Sequence, residues 1–88
     1  MTAPTPTADH VRAHVRAFIL HSCLLGAAPE ELLDDTPLVS GGIVDSLATV
    51  QLVAELEERY GIAIEPHEAG VAFMDTVRDI VALVMGKL

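Results

Sequence analysis

Asp45-Ser46-Leu47 stands directly after a loop containing Gly41 and Gly42, and opens a run with helical spacing. A hydroxyl beside a carboxylate could serve as a nucleophile if a histidine completed a triad. Nothing around Ser46 resembles a nucleophile elbow, and 88 residues leave little room for a substrate pocket and oxyanion hole. His10 and His14 are one helical turn apart, as metal ligands can be. No Cys, Asp or Glu completes that set at a matching spacing, although Asp9 is adjacent, so a solvated helix face is the better reading. Cys23 is the single cysteine. It excludes an internal disulfide and a cysteine-rich metal site, and fits a reducing compartment. Its place beside a core stripe suits a packed or half-exposed thiol. No catalytic residue and no metal ligand is assigned, and the chain is not expected to be an enzyme.

Four helices must position these residues. Val11, Val15, Phe18, Ile19, Ser22 and Leu25 recur at helical spacing and predict a first helix over residues 8–25, stopped by Gly26. Pro29 with Glu30 and Glu31 can open a short turn of helix. Residues 34–45 read as a loop, pinned to the core by Leu38 and Ile43 and loosened by Gly41 and Gly42. Asp45 is a suitable N-cap for a second helix over residues 46–60, ended by Gly61. Pro66 suits the start of a short third helix near residues 66–70. Asp75 or Thr76 can cap the last helix, whose buried stripe is Val77, Ile80, Val81 and Val84. No alternating strand is present. The expected fold class is all-α: a four-helix bundle, three main helices plus one short helix, with a long loop between helices 1 and 2.

The second helix carries two apolar faces. Thr49, Leu52, Val53, Leu56 and Tyr60 form the expected core face. Leu47, Val50 and Ala54 form a second stripe flanked by Glu55 and Glu57, with Gln51 and Glu58 among them. The preceding loop could simply cover that stripe. The alternative is a docking face, in which the apolar centre gives contact area and the acids steer a basic partner.

Composition bounds the rest. The net charge is −8, and from Glu30 to Asp79 there are 12 acids against Arg59 and Arg78. Such a segment repels nucleic acid and anionic membranes and attracts basic protein surfaces. No apolar run approaches the roughly 20 residues of a membrane span. The Thr/Pro/Ala-rich start has neither the basic nor the apolar stretch of a signal peptide, so the cytoplasm is expected. One domain over residues 8–88, preceded by a flexible tail over 1–7, accounts for the length.

The stretch from Gly42 through Ile62, centred on Asp45-Ser46-Leu47, resembles the second helix of acyl and peptidyl carrier proteins. Leu38, Ile62, Ile64 and Phe73 also match positions that family keeps apolar, and the likeness covers roughly residues 8–86. It implies a free-standing carrier in which a phosphopantetheinyl transferase, using magnesium, attaches 4′-phosphopantetheine to Ser46. Asp45 would support that metal. The thiol of the arm would then hold an acyl or aminoacyl group as a thioester. The implied partners are the transferase, a loading enzyme and downstream synthase or tailoring enzymes, with no nucleic acid and no membrane, and the chain is expected to be a monomer. The physics at Ser46 is compatible, since a helix N-terminus favours a phosphate. Ala48 and Gln51 stand where fatty-acid carriers usually place acids, which points to a specialised pathway. The rival reading is a small helical adaptor that binds a protein partner and carries no prosthetic group.

Overall fold

The computed structural model describes residues 6–24 and 26–88, and among them there are four α-helices and no strand. They are α1 (Ala8–Ser22), α2 (Ser46–Tyr60), α3 (Val71–Met74) and α4 (Val77–Lys87), with 3₁₀ turns at Pro29–Glu31 and Pro66–Glu68. Residues 1–5 of the expected tail, and Leu25 of the expected first-helix stripe, lie outside the described residues.

Each long helix begins with a side-chain cap. Thr7 accepts from the His10 amide, Asp45 from Ala48 and Thr76 from Asp79. Each cap satisfies one of the amides that a helix start leaves without an internal partner. Thr76, not Asp75, therefore caps α4. The first helix ends earlier than its apolar spacing predicts. The Cys23 and Leu24 amides both donate to the Ile19 carbonyl, at 2.8 and 3.1 Å, and the second of these bonds closes the helix before Gly26. Ser22, expected on the buried stripe, is exposed at this end. The expected short helix at 66–70 is two pieces, a 3₁₀ turn and then α3, separated at Gly70.

The core is aliphatic. Val11, Val15 and Ile19 of α1 meet Val77, Ile80 and Val84 of α4, with Leu52 and Leu56 of α2 and Met74 of α3. Val81, expected in the α4 stripe, is half-buried. Burying each such side chain contributes about 1.5–3 kcal/mol, so these residues dominate the stability of so small a domain.

The long loop adds Leu32, Leu38 and Val44 to the core. Ile43, expected as a pin, is only half-buried, and Val44 takes that place. Leu38 is the hinge point of the loop: its amide donates to the Asp75 carbonyl, and its own carbonyl accepts from Ile43 and Val44. This tight turn needs both glycines. A side chain on Gly41 would collide with the Pro37 carbonyl oxygen, and Gly42 has φ +77°. Further back, the Arg16 guanidinium donates to the carbonyls of Leu32 and Pro29, and Arg12 pairs with Asp34 at 2.7 Å. The loop is thereby strapped across α1 and delivers Asp45 to the start of α2.

Candidate attachment site and docking face

Ser46 is exposed at the first position of a 15-residue helix. The Asp45 carboxylate accepts from the Ala48 amide at 2.8 Å, and the Asp45 carbonyl accepts from the Thr49 hydroxyl, also at 2.8 Å. These bonds fix the first turn while leaving the amides at its outer end for an anion. Ser46 also lines a groove of about 780 Å³, which runs along α2 past Thr49, Val50 and Val53 to Glu57, with Ile64 and Pro66 also lining it.

Comparison with known proteins bears directly on this site. The family described as "Phosphopantetheine attachment site" matches residues 22–84, which include the whole of α2. The chain belongs to this family. Among solved structures, it is similar to a chain described as "Crystal structure of FAD-dependent dehydrogenase", with 37% identity and a TM-score of 0.70. That match covers 80% of this chain and 97% of the other. It is also similar to one described as "Structure of KstB-PCP(apo)", with 27% identity, a TM-score of 0.68, and coverage of 91% of this chain and 88% of the other. No curated protein matches the chain. Family and fold together establish a carrier protein, all-helical, of the kind to which phosphopantetheine is covalently attached.

The carrier has three serines, Ser22, Ser40 and Ser46. Their surroundings separate them. The Ser40 hydroxyl donates to Asp75 at 2.7 Å. Ser22 is the last residue of α1, where the helix dipole disfavours a phosphate. Ser46 alone combines exposure with a helix N-terminus, so the residues present fit the group. Cys23 is half-exposed in a small cleft with Asp45 and Leu47, and burial, followed by the Asp45 charge, raises its pKa. That shift favours the protonated thiol, the less reactive form.

The second stripe of α2 divides in space. Leu47 and Val50 are 67% and 65% exposed, and Ala54 is exposed too, so the loop does not cover them. Leu47 lines the Cys23 cleft, whereas Val50 and Ala54 line the groove. The acids also differ. Glu58 is exposed. Glu55 is half-buried, its carboxylate 2.9 Å from His14 Nε2 in α1. That is an ion-pair distance for a protonated histidine, although the angle falls outside hydrogen-bond geometry. Glu57 is half-buried on the other flank and accepts from the Ile64 amide at 2.9 Å.

Sequence reasoning offered Asp75 only as a helix cap and missed its role as an anchor, accepting from the Val39 and Ser40 amides and from the Ser40 hydroxyl. No spacing signal joins residues 35 positions apart. His14, expected on a solvated helix face, instead packs edge-on against Tyr60, with ring centroids 5.9 Å apart. Among the described residues no cluster of three potential metal ligands occurs, and no helix is long and apolar enough to cross a membrane.

Proposed function

We propose that Ser46 is the residue that carries the arm, and that the loaded arm presents an acyl or aminoacyl thioester to partner enzymes in a specialised biosynthetic pathway. The observation that carries this reading is the exposed Ser46 hydroxyl at the capped start of α2, inside the matched family region. A primary hydroxyl supplies the phosphodiester oxygen, and the helix start offers amides and a favourable dipole to the phosphate. Asp45 stands next to the oxygen and supports the transferase's metal. The chemistry on the cargo belongs to the partners, and this chain itself performs no catalysis.

Docking is assigned to Leu47, Val50 and Ala54, with Glu55, Glu57 and Glu58 around them. The apolar residues supply contact area, and the acids steer a basic partner surface. Glu58 has the greatest freedom to steer, because Glu55 and Glu57 are already engaged at the flanks.

An FAD-dependent dehydrogenase belongs among those partners. This is supported by the 37% identity with a chain from a structure of that description. The matched chain is shorter than this one, since four-fifths of 88 residues make up nearly all of it. It is too small to hold a dinucleotide-binding fold of two βαβαβ halves.

Carrier and adaptor are separated by one experiment. The protein is co-expressed with a broad-specificity phosphopantetheinyl transferase, then offered amino acids or acyl donors with a candidate loading enzyme. A carrier gains the mass of one arm, then a second increment that hydroxylamine removes. An adaptor gains neither.

A further inference from the structure

We infer that the groove beside α2 selects a carried group bearing an ammonium, with Glu57 as the carboxylate that receives it. The inference rests on attachment at Ser46 and adds the class of cargo. Ser46 and Glu57 line the same groove. They are eleven residues apart on one helix, about 16 Å along its axis at 1.5 Å per residue. An extended phosphopantetheine arm spans such a distance, so its thioester end arrives beside Glu57.

The walls between the two residues are Val50, Val53, Ala54, Ile64 and Pro66, against which an arm can lie. Asp45 beside Ser46 and Glu57 further along α2 are the charged residues lining the groove, and no base lines it. The Ile64 amide donates to Glu57 Oε2 and holds the carboxylate at the wall. A carboxylate has about four acceptor sites. No described Lys, Arg or His pairs with Glu57. An α-ammonium, with three donors and a positive charge, matches the remaining acceptors of a half-buried carboxylate. A neutral acyl group of the same size leaves them unmet, and an acidic one is repelled. The cargo class is therefore aminoacyl.

The test loads the arm with stable amide-linked analogues and reads backbone NMR shifts. The transferase installs either an alanyl or a propionyl group, which share one three-carbon chain and differ in the ammonium. Intact mass reports loading. The alanyl form is expected to shift the resonances of Glu57 and Ile64 relative to the unloaded arm, while the propionyl form leaves these two residues in place. In Glu57→Gln, which retains an acceptor for the Ile64 amide, the difference between the two cargos is expected to vanish, read on protein that intact mass shows to be fully loaded. Identical shifts for alanyl and propionyl in the native chain would overturn the inference and leave attachment intact. A cargo difference that survives Glu57→Gln would overturn it equally. If the native chain gains no mass, attachment fails and this inference falls with it.

Discussion

Asp75 accepts three hydrogen bonds from residues 39 and 40, and its backbone carbonyl accepts a fourth from Leu38. Bonds from the Ser40 amide and hydroxyl, with a lesser one from the Val39 amide, hold its pKa below its ordinary value, against an opposing push from desolvation. Glu68 is lowered in the same direction, first by Lys87 at 2.8 Å and then by the Glu65 amide. The sign follows directly. A carboxylate depressed in the folded state contributes stability that is present above its unfolded pKa, near 4. That contribution is lost as pH falls through the lower folded value. Melts taken from pH 7 down to pH 3 should therefore show the native chain losing stability on the acid side of pH 4. Asp75→Asn should be less stable at pH 7 and should lose less on acidification. An identical acid-side slope in both proteins would contradict this role. Both carboxylates are half-buried and still reached by solvent, which screens them, so the effect is small. This anchor was not legible in the sequence, because a pairing across 35 residues leaves no local signature. Ser46 was legible, because its cap, its glycines and its helix are all neighbours in the chain.

At the scale of elements, α2 has to face two ways. Leu56 is fully buried, and Leu47 is 67% exposed one residue after Ser46. Leu56→Ala should cost about 2–5 kcal/mol, as truncation in a packed core does. Leu47→Ala should cost less than about 1 kcal/mol. Yet Leu47→Ala should slow modification or cargo transfer, since an apolar anchor can dominate an interface. Thermal melts set beside modification rates check the pair, and equal destabilisation would return Leu47 to the core. The acids give a companion expectation. Reversing the charge of Glu58 should slow association with a partner and reduce its dependence on salt, with little change in the melt. An association rate indifferent to ionic strength would refute steering. The helical periods of α1, α2 and α4 were readable because apolar spacing and caps act locally. The end of α1 was not, since apolar spacing continues past the bond that closes the helix at Ile19, and the break at Gly70 was not, since α3 packs against α4. The split of the α2 stripe into two clefts is also tertiary: a helical wheel puts Leu47 and Val50 on one side, and the neighbouring loop and the 64–69 segment part them.

For the whole molecule, the long loop, strapped by Arg12, Arg16 and Asp75, brings one hydroxyl to the head of one helix. Everything proposed for this carrier depends on that hydroxyl receiving the arm. The most direct measurement is intact mass after incubation with a broad-specificity transferase and coenzyme A, for the native chain, Ser46→Ala and Ser40→Ala, with circular dichroism to confirm that each is folded. The account predicts one phosphopantetheine on the native chain and on Ser40→Ala, and none on a fully helical Ser46→Ala. A folded Ser46→Ala that still gains the arm would contradict it.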